Sequence, residues 1–201
     1  MTRTGIFGGT FSPPHRGHIR AAAAFASEMK LDRLLVIPAC MPPHKSIDDP
    51  GPDLRLEMTR AAFSDNAGFS IPVEVSDYEI RKSGVSYTVD TLEHFSDPDT
   101  ELFLLCGGDM FESLESWREP ERIFSLASVV GIMREDGTEQ EMRKYAERYR
   151  KKYGAKCYVL GERALEVSST LLRTMIKRGE NTEEYLSPEV RRIIERERLY
   201  R

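Results

Sequence analysis

The chain is short of cysteine, tryptophan and long apolar runs, and each shortage excludes something. Its three cysteines, Cys40, Cys106 and Cys157, are far apart and odd in number. That argues against a disulfide framework and shows no paired metal-ligand spacing. Each lies in or beside an apolar run, so all three are expected as buried thiols. No apolar run is long enough to cross a bilayer. The opening Met1–Gly9 lacks the basic start, apolar stretch and small-residue cleavage site of a secretory leader. There is no basic excess either: 29 Lys and Arg stand against 33 Asp and Glu, a net charge of -4. Nucleic acid is therefore not an expected partner, although an acidic protein can still concentrate positive charge inside a cleft. No membrane partner is expected, and the cytoplasm is the expected location. Homo-oligomers stay open, because nothing in the sequence bears on assembly.

Two common nucleotide fingerprints are also missing. No Gly-x-Gly-x-x-Gly follows the first apolar segment, and no Gly-Lys-Ser/Thr occurs after it. Hydride-transfer enzymes and P-loop enzymes would lack their mechanical parts here.

What is present is a globular composition, 201 residues with 40% apolar and 31% charged side chains. Thr4–Phe7 reads as a strand ending in Gly8-Gly9, His18–Met29 as a helix and Arg33–Pro38 as a buried strand, which together make a parallel βαβ unit. The pattern continues with a Pro-rich loop, a helix over Asp53–Phe63 capped by Asp53, and a strand over Ser70–Val75. A helix over Thr88–Phe95 and a strand over Glu101–Cys106 follow. Then come a helix over Glu121–Leu126, a strand over Ser128–Met133, a charged helix over Glu139–Tyr153 and a strand over Ala155–Leu160. Helices over Ser169–Arg178 and Pro188–Leu199 close the chain. The expected fold class is α/β: a Rossmann-like open parallel sheet with helices on both faces and a helical C-terminal extension. The expected organisation is one domain over residues 1–201, with 168–201 as the extension. Chemistry belongs at the carboxyl ends of the strands.

The loop after the first strand carries the strongest signal. Gly8 and Gly9 allow a sharp turn and close approach to a ligand. His15 and His18, three residues apart at the mouth of a helix, fall on one face. Helix N-termini bind anions through free N–H groups and their dipole. Two imidazoles there add donors to the same anion.

Gly9-Thr10-Phe11-Ser12-Pro13-Pro14-His15-Arg16-Gly17-His18 resembles the nucleotidyltransferase motif that ends in His-x-Gly-His, in the version found in bacterial nicotinate-nucleotide adenylyltransferases. That family often has Asp where this chain has Ser12, which leaves a turn-capping role through nearby backbone. Further segments carry the likeness through to Leu199-Tyr200-Arg201. Ile37–Lys45 is similar to the family's Pro-Pro-His-Lys segment, and Lys45 would project a cation into the cleft. Arg55-Leu56-Glu57-Met58 resembles the start of the next helix and can be purely structural. Ser86-Tyr87-Thr88 resembles the opening of the helix beside the mononucleotide. Gly107-Gly108-Asp109 follows a strand, where the family places an acidic residue for nucleotide binding. Trp117 could stack on a pyridine ring. Val167–Arg173 is similar to the family's Ile-Ser-Ser-Thr-x-x-Arg segment.

The resemblance implies an enzyme of NAD biosynthesis that joins ATP and nicotinate mononucleotide, with Mg2+ carried on ATP and no metal ligands of its own. It implies His15, His18, Lys45 and Arg173 as catalytic residues. It implies Gly8, Gly9, Thr10, Phe11, Gly107, Asp109, Arg134, Ser168, Ser169 and Thr170 on ATP, together with His15, His18 and Arg173. It implies Lys45, Ser86, Tyr87, Thr88 and Trp117 on the acceptor. Alternatives are a relative acting on nicotinamide mononucleotide or phosphopantetheine, and a non-catalytic module that senses a dinucleotide.

Overall fold

The computed structural model describes residues 1–43, 50–64, 68–133, 139–163 and 167–201. The first half runs β1 (Thr2–Gly9), α1 (Arg16–Glu28), β2 (Arg33–Pro38), α2 (Pro52–Phe63), β3 (Val73–Val75), α3 (Tyr78–Lys82) and α4 (Thr88–Phe95). The second half runs β4 (Thr100–Gly107), α5 (Gly108–Glu112), α6 (Pro120–Leu126), β5 (Ala127–Met133), α7 (Glu139–Tyr153), β6 (Cys157–Arg163), α8 (Ser169–Lys177) and α9 (Pro188–Arg196). The strands form one sheet in the order β3-β2-β1-β4-β5-β6, and each neighbouring pair is parallel. This is the expected Rossmann-like α/β fold.

The two-residue period of the strands divides the core. Along β4, Leu102, Leu104 and Cys106 enter one apolar cluster, while Phe103 and Leu105 enter the other. The first cluster is covered by side chains of α4 to α7, and the second by Ala22 and Phe25 of α1. Parallel strands buried on both faces need such continuous apolar runs. The strand order reverses between β1 and β4, which opens a crevice at their carboxyl ends. A third cluster, including Met58, Leu172, Val190 and Ile193, joins α2, α8 and α9. It folds the C-terminal extension back beside the first loop.

Several boundaries differ from the sequence reading for identifiable reasons. Asp53 is not the cap of α2; Gly51 is, with Pro52 first in the helix and Asp53 in its first turn. β3 is limited to Val73–Val75, after Pro72, which has no N–H to pair. β6 lies three residues later than expected at its end. The short helices α3 and α5 have no counterpart in the sequence pattern, and Asp109, expected just after the strand, sits in the first turn of α5. α9 stops at Arg196 because Arg198 takes a left-handed φ of 53° and Leu199 N–H closes onto Ile194 C=O at 3.0 Å. That turn buries Leu199 and Tyr200.

Cys106 and Cys157 are buried as expected, but Cys40 is only half-buried, at the end of β2. Burial pushes both inner thiols up, that of Cys157 to about 11. They are therefore poor nucleophiles near neutral pH. Among the described residues, no helix is long and apolar enough to cross a membrane.

Candidate active site

A cleft of about 1290 Å³ opens at the carboxyl ends of β1 and β4. Its floor is the loop after β1, where Gly8, Gly9, Thr10, Phe11, His15 and His18 all reach the wall. Phe11 holds a left-handed φ of 49°, which costs a non-glycine residue about 1–2 kcal/mol. Its ring offsets that cost by packing edge-on against Phe7, Phe63 and His18. Gly9 makes room for the ring, since a Cβ there would sit 2.9 Å from Phe11 Cζ.

His15 is the N-cap of α1, with extended backbone at φ -146° and ψ 169°, and it is buried. Its ring stacks on that of His18 at 3.7 Å between centroids. The backbone N–H of His15 donates to His18 Nδ1 at 3.2 Å. A neutral His18 therefore carries its proton on Nε2, where it can serve as a donor.

A Cβ on Gly17 would stand 2.9 Å from His15 Nδ1 and 2.9 Å from Val167 Cγ1. Gly17→Ala should displace the His15 ring and cut kcat/KM about tenfold. Unfolding stability should hardly change, because alanine's helix propensity offsets about 1 kcal/mol of the clash. Steady-state kinetics beside a thermal melt checks this, and unchanged kcat/KM would remove His15 from the machinery.

Three further elements pin the loop from outside. Arg55 of α2 is 1% exposed. It donates from Nη1 to Thr10 C=O at 3.0 Å and Ala39 C=O at 2.6 Å, from Nη2 to Cys40 C=O at 2.7 Å, and from Nε to Pro50 C=O at 3.3 Å. Burial pushes its guanidinium down, against the opposing pull of Cys40, Tyr200 and Glu79. From α8, Arg173 Nη1 donates to Ser12 C=O at 2.9 Å and Ser169 Oγ donates to Pro13 C=O at 2.9 Å. From the C-terminal turn, Tyr200 OH meets Ser12 Oγ at 3.0 Å. The Ser12 side chain thus holds the distant C-terminal segment, where the sequence suggested a local backbone cap.

Ser168 caps α8 by accepting from Leu171 N–H at 3.1 Å, and Arg173 Nη2 donates to Thr170 Oγ1 at 3.2 Å. Ser168, Ser169, Thr170 and Arg173 line one side of the cleft, with Thr174 and Lys177 further along the helix. On the other side, Ser86, Tyr87 and Thr88 line it at the start of α4, beside Trp117 and Arg118. The Arg118 guanidinium lies over the Tyr87 ring at 4.6 Å, and Trp117 Nε1 donates to Ser113 Oγ at 3.4 Å. The N-termini of α1, α4 and α8 therefore meet at one cleft. Each brings a positive dipole end. With Arg173, Lys177 and Arg118 on the walls, a protein of net charge -4 offers a site suited to polyanions.

Gly107 lines the cleft, whereas Asp109 is exposed in the first turn of α5 and is not among the described wall residues. Lys45 and Arg134 lie outside the described residues. The sequence reading missed Glu79, a buried carboxylate on the wall, and Tyr200. Arg55 reads from the sequence as a residue of the next helix that can be purely structural. Glu79 sits in the polar run Asp77–Lys82, which looks like an exposed stretch, and nothing local marks it.

Residues 6–192 match the model of the cytidylyltransferase-like family. A Clostridium botulinum protein named "Probable nicotinate-nucleotide adenylyltransferase" is 38% identical over 202 residues, covering 100% of this chain and 99% of that one. A Clostridium acetobutylicum protein of the same name is 36% identical over 203 residues and covers 100% of both. Among solved structures, the Plasmodium falciparum nicotinic acid mononucleotide adenylyltransferase complexed with NaAD has a TM-score of 0.81 at 18% identity. The superposition covers 100% of this chain and 98% of that one, and the likeness is one of fold. The shared fold, the His-x-Gly-His loop and the full-length identities have one consequence: the chain belongs to the cytidylyltransferase-like family and, within it, to the nicotinate-nucleotide adenylyltransferases.

Proposed function

We propose that this chain transfers the adenylyl group of ATP to nicotinate mononucleotide, giving nicotinate adenine dinucleotide and pyrophosphate, as a cytoplasmic step of NAD biosynthesis. The observation that carries the reading is the meeting of three helix N-termini and the stacked His15–His18 pair at the switch point of the sheet. Two anions must be brought together there, and positioning with electrostatic stabilisation is what such chemistry needs.

The acceptor phosphate carries about -1.5 to -2 charge near pH 7, so it needs no general base. One of its oxygens attacks the α-phosphorus of ATP in line. The new P–O bond forms as the bond to the bridging oxygen breaks, and pyrophosphate leaves with that electron pair. In this reading His18 Nε2–H and His15 grip the reacting phosphates as ligands, not as bases. Arg173 and the start of α8 hold the β- and γ-phosphates. Lys45 offsets repulsion at the acceptor phosphate, and Arg134 is a further phosphate ligand. Gly107 lets the ATP half approach the end of β4, whereas Asp109 stands off the wall. Ser86, Tyr87 and Thr88 hold the acceptor, and Trp117 stacks on its pyridine ring.

Among the described residues, no three His, Cys, Asp or Glu side chains gather where they could hold a metal ion. The donor set suits an ion that arrives on ATP, held by phosphate oxygens and water. Magnesium bound so would neutralise charge on the triphosphate.

The test is pyrophosphate release with ATP and magnesium, run in parallel with nicotinate mononucleotide, nicotinamide mononucleotide and phosphopantetheine. The first should win clearly. Preference for either of the others would overturn the substrate, and dinucleotide binding without pyrophosphate release would point to a sensing module. Labelled ATP alone should leave no adenylyl group on the protein, since a covalent adduct contradicts direct transfer.

A further inference from the structure

We propose that Tyr200 is a positioning residue for the reaction: its hydroxyl, acting through Ser12, sets where the loop after β1 holds His15 and His18. This rests on the reading of that loop as the grip on the reacting phosphates.

The C-terminal extension reaches the loop and the start of α1 at four points. Three of them use backbone groups of that stretch. Arg173 Nη1 donates to Ser12 C=O at 2.9 Å, Ser169 Oγ donates to Pro13 C=O at 2.9 Å, and Arg16 N–H donates to Tyr185 C=O at 2.8 Å. The fourth joins two side chains, Ser12 Oγ and Tyr200 OH, at 3.0 Å. Both residues are buried, Ser12 at 4% exposure and Tyr200 at 9%. A buried hydroxyl that loses its partner is not readily satisfied by solvent, so the link fixes the Ser12 side chain in one place.

From Ser12 the position passes to both histidines. On one side is Phe11, whose ring packs edge-on against His18 at 5.1 Å between centroids. On the other side, Pro13 and Pro14 lead directly to His15, and their fixed φ makes that connection stiff. The tyrosine is itself held in place. Arg198, at φ 53°, ends α9 in the left-handed way common at helix ends. Tyr200 takes a second left-handed φ, 61°, which is an outlier for a bulky residue. Such conformations persist where the surroundings enforce them, and they cluster at functional sites. Here the turn is enforced by the third apolar cluster, in which Leu199 and Tyr200 join Met58 of α2 and Leu172 of α8. Those two helices also carry Arg55 and Arg173, which hold the carbonyls of Thr10 and Ser12. The loop is thus braced on one unit, and Tyr200 is the part of it that grips the Ser12 side chain.

The experiment is Tyr200→Phe in the full chain, which keeps the ring in the cluster and removes only the hydroxyl. With both substrates varied, kcat should fall about tenfold, because a displaced loop weakens donors that act in the transition state. Both KM values should stay within about twofold. The melting temperature should fall by less than about 4 °C, the scale of one hydrogen bond in a chain of this size. In a Ser12→Ala background the same change should add less than about twofold, since both variants cut one link. Amide hydrogen exchange in the peptide over residues 8–19 should quicken in either single variant, while the α7 peptide stays as in the parent. Unchanged kcat in Y200F, full additivity with S12A, or exchange that quickens equally in α7 overturns the proposal, the last because it marks a general loss of stability. If Y200F does not fold, S12A probes the link from the loop side, and parent kcat in S12A counts against Tyr200. A parent chain that turns over none of the three acceptors sinks the functional reading alone. Exchange over residues 8–19 still decides whether Tyr200 holds the loop, and no change there in Y200F means that it does not.

Discussion

Replacing His18 with alanine should lower kcat by about 10²- to 10³-fold, the loss that follows removal of one preorganised donor from a developing charge. Two functions of the ring are separable. Its Nδ1 accepts the His15 backbone N–H and so helps close the N-terminus of α1. Its Nε2 is left as a donor at the cleft wall. Asparagine can supply an acceptor near the Nδ1 position but cannot reach as far as Nε2, whereas glutamine can place a donor near Nε2. His18→Gln should therefore keep more turnover than His18→Asn. All three variants should stay folded, because His18 is only half-buried and a lost cap costs about 1 kcal/mol. Pyrophosphate release under saturating substrates, with a thermal melt beside it, reads both effects. Equal activity in the Asn and Gln variants would mean that the ring matters as a cap, and the catalytic role would pass to its neighbours.

The largest effect on stability is expected at Arg55. Arg55→Met fills similar space but leaves the carbonyls of Thr10, Ala39, Cys40 and Pro50 without their donor. Each orphaned buried acceptor costs about 1–3 kcal/mol, and relaxation of the loops returns part of it, so a net loss of about 4 kcal/mol is expected. For a chain of this size, that corresponds to a fall of about 10 °C in the melting temperature. Arg55→Lys should recover little, because an ammonium cannot fork onto carbonyls in several directions from one plane. Urea unfolding measures the loss. A methionine variant as stable as the parent would show that these loops hold their shape without the guanidinium.

The difference between His18 and Arg55 shows what a sequence exposes. His15 and His18 sit together in a loop whose turn residues and helix start are consecutive, so spacing alone suggested an anion site. The same holds for Ser168, Ser169, Thr170 and Arg173, which share the first turns of α8. Arg55 has no such local mark. Its partner Thr10 is 45 residues away, and an arginine in an amphipathic helix looks like a solvated one until the loops close over it. Glu79 sits in a run that reads as exposed, and the buried hydroxyl that partners it, Thr91, comes from α4. Tyr200 reaches Ser12 across 188 residues, and only the left-handed turn at Arg198 brings it there.

The sequence by itself determined the fold class, most element positions, the two-faced burial of the strands, and the loop and helix starts that present N–H groups and imidazoles to an anion. These follow from local rules: the period of apolar residues, glycine at a tight turn, hydroxyls at helix starts. The tertiary structure decided which of those features face one another. It brought the N-termini of α1, α4 and α8 to a single cleft, exposed Asp109 in the first turn of α5, and turned Ser12 toward the C-terminal segment. It also buried Arg55 as the contact that ties the first loop to the end of β2. The physical reason is that a hydrogen bond between distant residues is specified by packing, not by spacing. The apolar cluster of α2, α8 and α9 sets where Arg55, Arg173 and Tyr200 point.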